Sequence, residues 1–104
     1  MLTDVVRCLV AGDYSLAAGV VGVEAPTADT AAHIRWCIED YGATLIDLPP
    51  DSWKTSNAQW YGTHWDVLVD LWTAEEGLSD LALAGKVVES DSGPRFTIHM
   101  VYVP

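Results

Sequence analysis

The chain has 104 residues, half of them apolar, with 15 acidic against five basic side chains for a formal charge of −10. That is the length of one ordinary domain, residues 1–104, with enough apolar material to bury a core without disulfide or metal staples. The charge argues against nucleic acid and anionic membrane surfaces, whose phosphates it repels, and favours a basic protein as partner.

The acid is spread rather than held in a tail: residues 1–42 carry six acidic and two basic groups, and residues 43–104 carry nine and three. It therefore belongs to the folded body, where it serves solubility, a halophilic habit or a basic partner. The apolar opening "MLTDVVRCLVAGDYSLAAGVVGV" is interrupted by Asp4 and Asp13 and has no basic leader. It holds no uncharged run near the ~18 residues of a membrane span, so a cytoplasmic location is expected. Cys8 and Cys37 fit that expectation as reduced packing residues, the alternative being a bridge between two helices.

Leu2, Val5, Val6, Leu9 and Val10 recur at helical spacing, and Gly12 ends this first helix. Asp13 or Ser15 is placed to cap a short second turn through "YSLAAG", after which Gly19 and Gly22 loosen the chain into a connection ending at Pro26. In "TADTAAHIRWCIEDYG" the cap is Thr27 or Thr30, the buried face is Ile34, Cys37, Ile38 and Tyr41, and Gly42 is the left-handed stop. His33 lies beside this stripe as an ordinary surface residue.

Beyond Gly42 the period changes from near 3.6 to 2. The spacing predicts strands at "ATLIDL", halted by Pro49 and Pro50, at "AQWYG", at residues 64–72, at "LALAGKVVE" with a bulge or bend at Gly85, and at "RFTIHMVYV" after the turn "SDSGP". Helices first and strands afterwards indicate an α+β domain: two N-terminal helices packed on one face of a four- to five-stranded antiparallel meander. The covered face is expected to carry Trp65, Val67, Val69 and Leu71 with Phe96, Ile98, Met100 and Tyr102. The opposite face is then left open, carrying His64, Asp66, Leu68, Asp70 and Trp72, then Asp80, Ala82 and Ala84, then Arg95, Thr97, His99, Val101 and Val103.

Such an acidic, part-apolar platform is the kind of surface that meets a partner. The candidate contacts are Asp66, Asp70, Glu75, Glu76 and Asp80 for lysines or arginines, with Trp72 as a desolvated anchor. Trp53 and Trp60, with Trp72, divide between core edge and surface. A second candidate site is metal-binding: His64 and Asp66 project side by side from one strand, and His99 approaches from another, a set that suits zinc or iron. Other chemistry finds less support. Asp66 and Asp70 lie about 13 Å apart at the usual strand rise, too far for a shared-proton pair. The serines stand in turn-like contexts without a nucleophile elbow, no glycine-rich phosphate loop is present, and no cofactor is implied. The turn "TAEEGLSD" lacks the alternating ligands of a calcium loop.

Taken together, "HWDVLVDLWTAEEGLSDL", "LVAGDYSLAA" and "WCIEDYGATLIDLPPDSW" resemble a family of small, acidic bacterial domains of unassigned function. In size, charge and layout that family is similar to the immunity proteins of polymorphic toxin systems. The resemblance implies a noncatalytic domain that covers the basic active site of a toxin enzyme with its acidic surface, as a monomer or weak homodimer. It transfers no residue role. The alternatives are a small metal-assisted enzyme using His64, Asp66 and His99, and a structural domain that self-associates through the edge of its last strand.

Overall fold

Helix α1, Leu2–Val10, forms on the stripe Val5, Val6 and Leu9, all buried, while Val10 turns outward. In the computed structural model, which describes residues 1–104, α1 is followed by turns rather than by a second helical segment. The Asp13 carboxylate accepts hydrogen bonds from the Ala17 and Ala18 amides at 2.8 and 3.1 Å. This clamp leaves Leu16 at φ 55°, a left-handed conformation costly for a branched residue, with its side chain buried in the core. Helix α2, Ala28–Tyr41, starts at Thr27, whose hydroxyl accepts the Thr30 amide, and stops at Gly42 with φ 79°.

Six strands follow or interleave: β1 Val23–Glu24, β2 Leu45–Ile46, β3 Asn57–Trp60, β4 Trp65–Thr73, β5 Gly77–Ser90 and β6 Gly93–Tyr102. The sheet runs β1-β6-β5-β4-β2, with β3 also on β4. It is mixed rather than an antiparallel meander, because β1 pairs parallel to β6 at Val23↔Phe96 and Glu24↔Thr97. A two-residue strand is too short to carry a period, which is why the sequence shows it as a connection. It occupies part of the last strand's edge, the edge that the self-association alternative requires.

The chain beyond β2 departs similarly. Pro49 and Pro50 end the strand early, and Pro50–Lys54 form a 3₁₀ turn instead of a plain link. Strands β2 and β3 then pair in succession with the same edge of β4: Ile46 with Trp72, and Asn57 with Leu68. Between them the edge amide of Asp70 donates to Ser56 Oγ at 3.2 Å, and that hydroxyl donates to the Ser52 carbonyl at 2.7 Å. A side chain thus supplies the ladder bond that no strand reaches.

Two irregularities decide which residues face the core. Between β5 and β6 the register passes from Ala84↔Met100 to Gly85↔Ile98, leaving His99 without a partner. A one-residue excess reverses the alternation. Phe96 and Ile98 are buried as expected, but beyond His99 the buried residue is Val101, fully enclosed, while Met100 is 40% exposed. The expected inward Met100 and Tyr102 therefore lie on the other face, and the expected outward Val101 lies in the core. The second irregularity lies between Asp70↔Ala82 and Trp72↔Leu78. There the Ser79 hydroxyl donates to the Leu71 carbonyl at 2.8 Å and accepts the Leu81 amide at 3.1 Å, so both Ser79 and Leu81 are buried.

Val5, Val6 and Leu9 of α1 and Ile34 and Ile38 of α2 share one buried cluster with Val69, Leu71, Leu81, Leu83, Phe96, Ile98 and Val101. Register places these strand residues on one side of the sheet, in cross-strand rows such as Val69↔Leu83↔Val101. The row fades toward the β3–β4 hairpin: Val67 is half-buried, and Trp65 is 40% exposed. The sequence-expected burial of Trp65 fails: it stands at the hairpin end of β4, packed against Trp60 and open to solvent. Gly85 permits a close approach between β5 and β6. A Cβ there would lie 2.5 Å from Phe96 Cζ and 2.5 Å from the Thr97 carbonyl oxygen.

Gly85→Ala is expected to cost at least about 2 kcal/mol, since the obstructing atoms include fixed backbone. Thermal unfolding will show it as a lowered Tm, only partly restored by adding Phe96→Leu. The reversed alternation has its own signature. Val101→Ala should cost about 2 kcal/mol and Met100→Ala less than about 0.5, whereas an uninterrupted strand requires the opposite order.

Candidate functional site: the open sheet face and its acidic end

Away from the cluster, register stacks a second set of rows. Gln59, Asp66, Lys86 and Thr97 form one, Asn57, Leu68, Ala84 and Met100 the next, then Asp70, Ala82 and Tyr102, and lastly Ile46, Trp72 and Leu78. Asp66 and Asp70 are on this face as the sequence predicts, Asp66 with half of its side chain exposed and Asp70 half-buried. The face is less uniformly negative than expected, because Lys86 stands directly across from Asp66. Its middle is apolar.

The loop of the β3–β4 hairpin orients Asp66. His64 Nε2 lies 3.1 Å from Asp66 Oδ1, and His64 Nδ1 lies 3.1 Å from Thr63 Oγ1. The two ring nitrogens of His64 thus face different neighbours, the Thr63 hydroxyl on one side and the Asp66 carboxylate on the other. Tyr61 stacks on His64 with ring centroids 5.7 Å apart, and Trp60 packs against Trp65 at 5.3 Å. The proposed metal set does not assemble. His64 and Asp66 come together, but no group of three histidine, cysteine, aspartate or glutamate side chains takes up a metal-holding arrangement. His99, the unpaired bulge residue, instead lies on the rim of a concavity of about 340 Å³ that Asn57, Gln59, Asp66, Leu68, Ala84 and Tyr102 also line.

The other predicted contacts gather at the acidic end, where the β4–β5 turn meets α2. Glu75 accepts the Thr44 amide at 2.8 Å and the Thr44 hydroxyl at 3.0 Å. These two donors hold its carboxyl below the ordinary range. Glu76 Oε1 accepts the Tyr41 hydroxyl at 2.7 Å, and the Tyr41 oxygen in turn accepts the Asp80 amide at 3.1 Å. The Asp80 amide works to lower the Tyr41 pKa, but the Glu76 acceptor, burial and the two nearby carboxylates outweigh it, and the phenol stays protonated above its usual value. Glu75 and Glu76 thus brace the turn against α2 and β2, while Asp80 contributes its backbone. Trp72 is half-buried between Ile46 and Leu78, with its indole N–H enclosed and unpaired, so it is less open than a free anchor.

Cysteine chemistry gives no second centre. Both thiols are free, and Cys37 Sγ sits 3.4 Å from His33 Nε2. Burial and then Asp40 push the Cys37 thiol up, the opposite of what an activated nucleophile needs. Sequence reasoning passed over Asn57, Gln59, Lys86 and Tyr102. The alternation of "NAQW" does put Asn57 and Gln59 on one side, but which side depends on register with β4. Tyr102 changes face at the bulge.

These elements define an α+β domain whose mixed sheet presents a polar, part-apolar face around Asp66. The chain belongs to the family described as Domain of unknown function (DUF7668), whose model matches residues 6–104. No curated protein and no solved structure matches it.

Because the Glu75 carboxyl titrates lower in the folded chain than in the unfolded one, its stabilisation is complete above the unfolded value, about 4.3, and is lost as pH falls through the folded value. Thermal unfolding between pH 7 and 3 should therefore show Tm falling below about pH 4.3. Glu75→Gln should lower Tm at pH 7 and shrink that acid-side drop.

Proposed function

We propose that this chain is a noncatalytic, cytoplasmic protein-binding domain that docks a basic protein through its open sheet face. The resemblance to immunity proteins makes a toxin enzyme with a basic active site the fitting partner. In this proposal both helices cover one side of the sheet, and Asp66 and Asp70 on the other side meet lysine or arginine. The observation that supports it best is the exposure of Asp66 beside a half-buried Asp70 on a face of a protein with charge −10. Neither carboxylate forms an ion pair with a lysine or arginine of its own chain. Of the five basic side chains, Arg7, Arg35 and Lys54 pair with other acids, all at exposed positions.

The division of labour within the acidic set narrows the contact surface. Glu75 and Glu76 serve the fold, so Asp66 and Asp70 carry the electrostatic attraction, with Asp80 at the edge. Exposed charges of this kind speed encounter more than they tighten the final complex.

The partner to test is a toxin enzyme domain with a basic active site. Its association rate, measured by stopped flow, should fall at least about tenfold between low and high salt, since screening sets in beyond ~8 Å at physiological ionic strength. The pair Asp66→Lys and Asp70→Lys should slow association similarly while leaving the melting curve within a few degrees of the parent. A rate indifferent to salt and to both substitutions would sink the proposal.

A further inference from the structure

We propose that the concavity at Asp66 is a receptor for one arginine side chain of a basic protein partner, which rests on the docking reading above and specifies what enters it. The pocket's chemistry matches a guanidinium group part by part. Asp66 offers a carboxylate with His64 Nε2 3.1 Å from its Oδ1 and half of its side chain exposed. Oδ2 takes no hydrogen bond from the chain. Lys86, its cross-strand neighbour, forms no ion pair with it, and the basic group in contact with the carboxylate is His64.

Asn57 and Gln59 lie beside Asp66 on the neighbouring strand, with Gln59 paired directly to Asp66 and Asn57 to Leu68. Their side-chain carbonyl groups are neutral acceptors. A guanidinium has five N–H donors in one plane, and a carboxylate with two flanking amide oxygens can engage several of them at once. Val67, Leu68 and Ala84 form the apolar part of the lining, suited to the methylene stem, Tyr102 adds an aromatic wall for the cation, and the His99 imidazole completes the rim. The volume, about 340 Å³, admits a single long side chain.

Lysine fits less well. Its compact, strongly hydrated ammonium has three donors and cannot bridge a carboxylate and two amides in one plane. A neutral sugar could use the amides and the ring, but it gains nothing from Asp66 or from a net charge of −10. The hairpin explains how the site is held ready. Tyr61 stacks on His64, Thr63 contacts its other imidazole nitrogen, and Asp66 lies against Nε2, so the hairpin groups these side chains at the mouth of the site before a ligand arrives.

The test is a titration of the folded domain with N-acetyl-arginine amide, followed by amide NMR. Saturable shifts of the Asn57 and Gln59 side-chain NH₂ signals are expected, with a Kd on the order of 1 mM. N-acetyl-lysine amide should bind at least about fivefold more weakly, and Asp66→Asn should weaken arginine binding about tenfold. Gln59→Leu, distant from the core cluster, gives the same readout should Asp66→Asn disturb the hairpin.

Equal binding of the two analogues, shifts that do not saturate or scatter over the surface, or an unchanged Kd in both variants would overturn the receptor. So would much tighter binding of free arginine than of the capped form, which marks an amino-acid pocket, or the same shifts produced by maltose. The two proposals fail separately. If salt-dependent docking persists while capped arginine does not bind, only the arginine receptor falls; if arginine binds but docking ignores salt and both charge reversals, only the docking surface falls.

Discussion

Gly85 lets two strands approach more closely than any side chain would allow, and the arrangement of the sheet follows from that contact. With no Cβ on Gly85, Phe96 can lie over the backbone of β5 and stay fully buried. Next to this contact the register slips by one residue at His99. Everything after His99 changes sides, so Val101 enters the core while Met100 and Tyr102 come to the open face. The concavity around Asp66 owes its tyrosine wall to that reversal. Packing on one side of the sheet and chemistry on the other are therefore coupled through a single irregular position.

The acidic side chains divide into two physical roles. At the end where α2 meets the β4–β5 turn, carboxylates accept hydrogen bonds from Thr44 and Tyr41 and join segments far apart in the chain. These bonds hold a turn that carries little apolar material of its own. Asp13 does similar work earlier, closing the turns that bring Leu16 into the core despite its left-handed backbone. Asp66 differs from these. Its contact with His64 lies within the hairpin and does not tie it to another element, which leaves it suited to an outside ligand.

Helices and their ends were legible because their signals are local. The apolar spacing in residues 2–9 and the Gly42 stop each act within a few residues and stand where the sequence places them, and of the two candidate caps, Thr27 and Thr30, the structure selects Thr27. The long strands were legible from alternation. The short ones were not: β1 is two residues and owes its existence to β6, and β2 is cut to two by prolines and by the 3₁₀ turn behind them. Asp66 could be picked out from one strand alone. Its companions Asn57, Gln59 and Tyr102 come from two other strands and needed the pairing to be known.

The amino-acid sequence by itself determined an α+β chain with two helices in its first half, a strongly acidic body, and a β4 strand with one apolar row and one carrying Asp66 and Asp70. Those properties depend on side-chain periodicity and on charge, which act within a segment or over the whole chain without reference to contacts. Only the tertiary structure decided the parallel β1–β6 pair, the inward Val101, the exposed Trp65, the place of His99 as an unpaired bulge residue, and the bracing duty of Glu75 and Glu76. Each of these depends on register, and a slip of one residue costs nothing in local pattern yet moves every later side chain to the other face.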